Sequence, residues 1–158
     1  IKAFTEEFYR KIASAKLQPV LESTLVAKEL GMHIEVVNLI IPTLNDDPDE
    51  IRKMVKWIYE KLGKDTPIHF TRFHPYYQLT NIPPTPLPTL EKAYDIAREE
   101  GMRYVYIGNV MGTEKENTFC PACGELLIKR GGFDTLACKI TEDTKCPGCG
   151  ETICVIDD

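Results

Sequence analysis

The apolar positions of the first hundred residues follow a helical period in four places. Most of these segments have a capping residue or a proline near the start and a glycine at the end, as helix termini require. Thr5, Asp47 and Thr89 are the expected N-caps, and Pro19 is expected in the first turn of the second helix. The spacing predicts helices over residues 5–15, 19–31, 48–63 and 89–101.

Three β-branched segments lie between or after these helices: HIEVVNLIIP (33–42), PIHFTRFHP (67–75) and RYVYIGN (103–109). The first carries almost no charge, which predicts a strand covered on both faces. Strand and helix alternate, and each helix is long enough for a right-handed crossover. The pattern therefore predicts an α/β fold with a parallel sheet.

Three parallel strands make an incomplete sheet, because two long apolar edges stay unpaired. The opening residues IKAF resemble the end of a further strand. We therefore expect the C-terminal part of a larger α/β protein, with the missing N-terminal half as its partner, and a homodimer formed through the bare edges. A small independent α/β domain is the alternative.

Composition narrows the classes of partner. The formal net charge is −5 and no segment has a basic excess, which argues against nucleic acid. No apolar run approaches the roughly 18 residues of a membrane helix, and no leader pattern opens the chain, so a cytoplasmic protein with no membrane contact is expected. Scarce Gln beside plentiful Glu, Lys and Ile favours a thermophilic source.

Two near-copies of Cys-Pro-x-Cys-Gly lie near the end of the chain, in NTFCPACGELL and DTKCPGCGETI. The spacing is Cys120-x2-Cys123-x22-Cys146-x2-Cys149. Two residues between thiolates let both sulfurs face one tetrahedral ion, and the glycine after each pair permits the turn. The motif predicts a closed, structural site for Zn²⁺ or a single iron. Redox-active dithiols are the alternative, but such pairs usually begin a helix.

The residues around the pairs predict a zinc ribbon. ELLIKR, the turn GG and FDTLACKI indicate a hairpin, and ETICVI indicates a third strand. A module of about 40 residues needs such an ion because its own core is too small. The predicted organisation is an α/β domain over 1–109, a linker over 110–117 and the ribbon over 118–158. Cys138 and Cys154 are expected to be buried thiols; a disulfide between them or alternative ligation are the other options.

Histidine and asparagine supply the other candidate site residues. The C-terminal ends of parallel strands form the active face of α/β proteins, so His74, which closes the second predicted strand, is either a site residue or a surface or capping residue. His69 and His33 are expected to be structural. Asn38, polar within an apolar run, either reaches a ligand or satisfies a neighbouring backbone group.

The order IKAF, HIEVVNLIIPTLND, FTRFHP and YIGN resembles the C-terminal half of the radical S-adenosylmethionine (SAM) enzymes related to pyruvate formate-lyase activating enzyme. Together with the CPACG and CPGCG tail, it resembles the branch called the AmmeMemoRadiSam-system radical SAM enzyme. The resemblance covers essentially all 158 residues. It implies the last half of a partial (β/α)6 TIM-like barrel followed by the ribbon.

The resemblance also implies chemistry. Members of the family cleave SAM reductively at a [4Fe-4S] cluster, and the resulting 5′-deoxyadenosyl radical abstracts a hydrogen atom, from a glycine in the activases. The expected partner is a protein or small-molecule substrate. By the same resemblance, Lys2 and His74 contact SAM, and Asn38 lies near a third polar contact.

One departure from the family is large. The Cys-x3-Cys-x2-Cys loop that binds the cluster is absent from these residues, as is the glycine-rich strand that meets the methionine amino group. The resemblance therefore implies an active parent enzyme and an inactive fragment. A non-catalytic interaction module, with an α/β domain that carries a zinc ribbon, is the alternative function.

Overall fold

The computed structural model describes residues 1–132 and 134–155. The chain divides into two compact units, residues 1–110 and residues 111–158. Within the described ranges, no helix combines the length and apolar character needed to cross a membrane.

The first unit alternates helices and strands, as the pattern of apolar positions predicts. The elements are α1 (Glu6–Lys11), α2 (Leu17–Glu29), β1 (Val36–Ile40), α3 (Pro48–Lys61), β2 (Ile68–Arg72), α4 (Leu87–Glu99) and β3 (Val105–Gly108). The strands form one parallel sheet in the order β1-β2-β3, with Val36 opposite Ile68 and Ile68 opposite Val105. Parallel pairing requires a crossover between consecutive strands, and α3 and α4 supply these crossovers.

Two of the predicted N-caps are present in the structure. Thr5 Oγ1 accepts a hydrogen bond from the backbone N–H of Phe8, and Asp47 Oδ1 accepts from the N–H groups of Asp49 and Glu50 at 3.0 Å each. These contacts satisfy N–H groups that have no partner within the helix. The sequence therefore locates the starts of α1 and α3 correctly.

The other two helix starts differ from prediction. α2 begins at Leu17 and not at Pro19, because the Glu6 carboxylate of α1 accepts hydrogen bonds from the N–H groups of Leu17 and Gln18. This cap comes from another helix, so local sequence does not reveal it. α4 has Pro86 at its N-cap position in place of Thr89, and a proline in the first turn needs no N–H partner.

The main core lies between the sheet and helices α3 and α4. Both helices place apolar residues at three- and four-residue spacing toward the sheet, so that one stripe of each is buried. Ala93 and Ala97 of α4 are fully buried. The core residues are Ile51, Met54, Val55 and Ile58 of α3, Leu90, Ala93, Ile96 and Ala97 of α4, and Val36, Ile40, Ile68, Phe70, Val105 and Ile107 of the sheet.

The opposite face of the sheet carries no helix of this unit and is called here the open face. It consists of alternate strand positions, since successive side chains of a strand point to opposite faces. Val37 is 52% exposed and Leu39 is 36% exposed. The prediction that this strand is covered on both faces is therefore wrong for the described chain. The open face comprises Val37, Leu39, His69, Thr71, Tyr106 and Gly108.

The loop between β2 and α4 is anchored by one buried threonine. Thr85 Oγ1 donates to the carbonyl of Ile40 at 2.6 Å and accepts from the N–H of Phe73 at 2.9 Å. The Thr85 carbonyl also accepts from Arg72 Nε. These bonds fix the proline-rich segment against the C-terminal ends of β1 and β2, where His74 lies.

The first regular element of the second unit is a short 3-10 helix, Glu114–Glu116. It is followed by the strands β4 (Thr118–Phe119), β5 (Leu126–Gly131) and β6 (Asp134–Cys138), which form an antiparallel sheet in the order β4-β5-β6. The predicted hairpin is β5 and β6. The predicted third strand, ETICVI, forms a single bridge between Lys145 and Thr152 in its described part, and Ile156 lies outside the described residues. β4 pairs with β5 in its place.

Candidate metal centre and sheet-face site

The two cysteine pairs form matched turns. The Cys120 N–H donates to the carbonyl of Glu125 and the Gly124 N–H donates to the carbonyl of Cys120, at 2.7 and 2.9 Å. The second pair repeats this pattern around Cys146 and Gly150, with both bonds at 2.9 Å. The two glycines have φ of 77° and 76°, a left-handed conformation that a side chain would strain. The sequence prediction of two equivalent turns agrees with this geometry.

The turns bring four sulfur atoms together. Cys120 Sγ lies 3.6 Å from Cys149 Sγ, and Cys123 Sγ lies 3.7 Å from Cys146 Sγ. All four Sγ atoms lie within 4.8 Å of one another. Sulfurs bound to one tetrahedral zinc at ~2.3 Å are about 3.8 Å apart. The spacing therefore suits a single metal ion.

The thiols of the cluster differ in how readily they ionise. Burial opposes ionisation of Cys120, but hydrogen bonds from the backbone N–H groups of Cys123 and Ala122 outweigh it and lower the pKa of Cys120 to about 7. At Cys149 the backbone hydrogen bond with Glu151 lowers the pKa, but the neighbouring thiols of the cluster raise it to about 12. Four thiolates at neutral pH therefore require a positive ion between them.

The same geometry argues against a [4Fe-4S] cluster at these residues. In such a cluster each thiolate binds a different iron atom, which holds the sulfurs farther apart than the ligands of one ion. The four cysteines fit Zn²⁺ or a single iron, and the chain as described offers no second group of three or more His, Cys, Asp or Glu ligands.

Glu125 lies beside the sulfur cluster. Its Oε2 is 3.9 Å from Cys146 Sγ, and its Oε1 is 3.7 Å from Lys139 Nζ. A Cβ atom added at Gly148 would meet the Glu125 carboxylate, so a larger residue at this position would require the Glu125 side chain to move. The lysine offsets the charge that the carboxylate adds next to the thiolates.

The remaining two cysteines depart from expectation. Cys138 and Cys154 are not joined by a disulfide, and both are exposed, so the prediction that they are buried is wrong. β6, which contains Cys138, is exposed along its whole length, because it is the edge strand of a sheet with little chain to cover it. Neither cysteine belongs to the four-sulfur cluster.

Asn38 is buried and holds the start of the chain. Its side chain is 1% exposed and lies on the helix-covered face of β1. Its Nδ2 donates to the carbonyls of Ile1 and Lys2 at 3.1 Å each, and Asn45 Nδ2 donates to the same Lys2 carbonyl at 2.6 Å. The geometry favours the second role left open by the sequence, satisfaction of a neighbouring backbone group. Its contact with SAM stays a prediction.

Lys2 and His74 differ from Asn38, because both are exposed. The Asn45 side chain ties the Lys2 carbonyl to that of Leu39, near the C-terminal end of β1. His74 lies two residues after the end of β2, in the loop that Thr85 anchors. Both residues therefore lie near C-terminal strand ends, where the sequence predicts a site.

One cluster was not predicted to be a site. Glu35, just before β1, accepts hydrogen bonds at both carboxylate oxygens: His69 Nε2 lies 2.7 Å from Oε2 and His33 Nε2 lies 3.1 Å from Oε1. The His69 ring stacks on Tyr106, with centroids 4.9 Å apart. In the sequence, only the acidic Glu35 at the start of the apolar run could have indicated this cluster. The contact between Glu35 and His69 depends on the register of β1 and β2, which the sequence does not show.

No family model matches the chain. The chain is 50% identical over 143 residues to uncharacterized protein MJ0808 of Methanocaldococcus jannaschii, a match that covers 85% of this chain and 43% of that protein. The chain thus spans less than half the length of this relative.

A solved structure shows a similar fold. A domain of pyruvate-formate lyase-activating enzyme from Bacteroides vulgatus superposes with a TM-score of 0.58 at 13% sequence identity. The match covers 69% of this chain and 64% of that one. This chain therefore shares a fold with a domain of an activating enzyme over the matched part, and its second unit contains a four-cysteine cluster able to bind a metal ion.

Proposed function

We propose that the chain is the C-terminal part of a radical SAM enzyme resembling pyruvate formate-lyase activating enzyme. The observation that carries the proposal is the parallel three-stranded sheet, which has helices on one face and an open second face. In a (β/α) barrel the helices form the outer ring and the other face of the sheet lines the interior. A parallel sheet of three strands with helices on one face and an uncovered second face is therefore expected for part of such a barrel.

The proposed barrel assigns the open face to the interior. Val37 and Leu39 would then be covered by the rest of the parent protein, which explains large apolar side chains left exposed here. The edge of β1 that does not pair with β2 supports the proposed barrel. The Ile1 nitrogen lies 3.4 Å from the Val37 carbonyl oxygen, so the first residue of the chain lies beside this edge.

SAM and a [4Fe-4S] cluster supply the radical chemistry when bound. The residues of this chain contain no Cys-x3-Cys-x2-Cys loop, and the four-sulfur cluster fits a single ion, so the iron–sulfur cluster would be held by the missing half. We propose that this chain contributes the His74 imidazole and the Lys2 ammonium group, both exposed near C-terminal strand ends, as hydrogen-bond donors to SAM.

The ribbon has a separate proposed role. Cys120, Cys123, Cys146 and Cys149 hold a Zn²⁺ ion that stabilises the second unit, because this unit buries few apolar residues of its own. All four positions around the ion are protein thiolates, so no open position is left for catalysis.

The reading frame that encodes the chain provides the first test. The proposal expects a Cys-x3-Cys-x2-Cys motif encoded within about 200 residues upstream of Ile1. The longer product, purified without oxygen and given SAM and dithionite, is expected to form 5′-deoxyadenosine. His74→Ala should weaken SAM binding about tenfold, the cost of one hydrogen bond to a charged ligand.

Gln78→Ala is the matched control, because Gln78 is exposed in the same loop. It should leave SAM binding unchanged. A start codon at Ile1, or a longer product that binds no SAM, would overturn the proposal and favour the interaction module.

A further inference from the structure

Glu125 lies beside the four-sulfur cluster without belonging to it. We propose that its carboxylate is a temporary ligand through which a zinc ion enters and leaves the cluster. The inference rests on the zinc site of the proposed function, and it adds that the ion can be passed to another chelating molecule. The structural role proposed for the ion does not require such a residue, because four thiolates already complete a tetrahedral site.

The glycine between the second pair of cysteines makes room for this carboxylate. The two turns match in their backbone hydrogen bonds, but the first has Ala122 where the second has Gly148. Gly148 lacks the left-handed conformation of the glycine that follows each pair, so its backbone does not require a glycine. A Cβ atom at Gly148 would meet the Glu125 carboxylate and would lie 3.9 Å from Cys123 Sγ. The carboxylate therefore occupies space beside the sulfurs that a side chain would otherwise take.

The position of Glu125 links a buried sulfur to solvent. In each pair the first cysteine is buried and the second is exposed, so a chelating molecule can reach only the second cysteines directly. Glu125 Oε2 lies 3.9 Å from the sulfur of the buried Cys146, while the Glu125 side chain is 32% exposed. Lys139 Nζ, 3.7 Å from Oε1, offsets the repulsion between the carboxylate and the thiolates.

The proposed step is an exchange of ligands. A carboxylate oxygen is an ordinary zinc ligand, so Glu125 can take the place of one thiolate. The bond between the ion and the Cys146 sulfur breaks, a bond to the Glu125 oxygen forms, and the freed thiolate keeps its electron pair. No oxidant or reductant is needed, and the reverse step returns the ion to four thiolates. Because a temporary ligand lowers the same barrier in both directions, it accelerates uptake and release equally and leaves the affinity unchanged.

Two simpler roles of Glu125 predict a different result. A carboxylate that only attracted the cation would favour the bound state, so its removal would weaken zinc binding and speed release. A carboxylate that only stabilised the ligand turns would also leave a weaker site when removed. Slower release at unchanged affinity is therefore specific to a temporary ligand.

The experiment measures zinc release and zinc affinity in the whole chain. An excess of a chromogenic zinc chelator reports the release rate, and competition with a chelator of known affinity at equilibrium gives Kd. Glu125→Gln should release zinc about tenfold more slowly, the lower end of what residues beside metal ligands contribute, at an unchanged Kd.

Glu151→Gln is the matched control. The Glu151 carbonyl accepts from the Cys146 N–H as the Glu125 carbonyl accepts from the Cys120 N–H, so the two glutamates have equivalent positions in the two turns. Glu151→Gln should change neither the release rate nor Kd. Faster release or a weaker Kd in Glu125→Gln, or equal slowing in the two variants, would overturn the inference.

Gly148→Ala is an independent variant, because its Cβ displaces the Glu125 carboxylate but leaves the charge in the chain. Release should slow in Gly148→Ala and stay unchanged in Ala122→Gly, which alters the equivalent position of the first turn. An unchanged release rate in Gly148→Ala would count against the role of Glu125.

Zinc content separates the inference from the proposed function. If the unsubstituted chain binds one equivalent of zinc and Glu125→Gln releases it at the same rate, the structural zinc site stands and only the role of Glu125 is overturned. A chain that binds no zinc would overturn the zinc site itself, and the inference with it.

Discussion

At the scale of single residues, the Thr85 hydroxyl connects two segments that are far apart in sequence. It donates to one backbone carbonyl and accepts from one backbone N–H, and its side chain is fully buried. Buried backbone groups without partners are costly, so the hydroxyl stabilises the loop more than its size suggests.

Thr85→Val keeps the shape but removes both hydrogen bonds. We expect a loss of about 1–3 kcal/mol in the free energy of unfolding, measured by urea denaturation. Thr80→Val, at an exposed position of the same loop, should change it by less than about 0.5 kcal/mol. Equal effects of the two substitutions would show that the Thr85 bonds do not stabilise the loop.

Glu35 gives a prediction about acid stability. Its pKa is lowered in the folded chain from an ordinary value of 4.5, so it stabilises the fold above that pH, and the contribution is lost as the pH falls through the folded pKa. Glu35→Gln should therefore flatten the fall in urea midpoint below about pH 4.5. Glu60→Gln, at an exposed position of α3, should leave the pH dependence of the urea midpoint unchanged. If Glu35→Gln also left this pH dependence unchanged, Glu35 would not contribute to acid stability.

Residue roles were only partly predictable from sequence. The grouping of the four cysteines follows from spacing alone, because two residues suffice to turn the chain between thiolates. Asn38 could only be narrowed to two roles, since the carbonyls that it binds belong to residues 36 and 37 positions away. Glu35 and His69 meet through strand register, which no local pattern shows.

At the scale of elements, helix α3 shows how a local motif sets a boundary. Asp47 caps two N–H groups and Pro48 follows it in the first turn, so the start is fixed by neighbouring residues. α2 and α4 lack such a side-chain cap at their own N-cap positions, and for these helices the sequence places the start two or more residues away.

Asp47→Ala tests the cap of α3. Removing an N-cap side chain costs about 1 kcal/mol, so the urea midpoint of the first unit should fall accordingly. Asp47→Asn keeps an oxygen acceptor at the same place and should stay within a few tenths of a kcal/mol of the unsubstituted chain. An equal loss of stability in Asp47→Asn would show that the charge of Asp47, and not its N-cap hydrogen bonds, stabilises α3.

At the scale of the whole molecule, the two units rely on different sources of stability. The two hydrophobic clusters described for the first unit draw all their residues from that unit. The second unit has a small sheet with an exposed edge strand and a four-sulfur cluster. The division into an α/β unit and a cysteine-rich unit was foreseeable because helical periodicity stops before the first cysteine pair.

Metal removal should therefore affect one unit only. In a chelator, or in the Cys146→Ser variant, we expect amide hydrogen exchange to accelerate throughout β5 and β6 while the β1 to β3 amides stay protected. Cys138→Ser, which changes an exposed cysteine outside the cluster, should bind one equivalent of zinc and keep the original exchange pattern. Protection of β5 in the metal-free chain would show that the ribbon folds without an ion.

The matched turns of the two cysteine pairs have a mechanical consequence. An ion held by both pairs ties the ends of the β5 and β6 hairpin together, so it acts as a reversible cross-link around a closed loop. Proteolytic cleavage between β5 and β6 would then leave both pieces attached until the metal is withdrawn. The integrity of this end of the molecule would depend on the local supply of metal as well as on the continuity of its backbone.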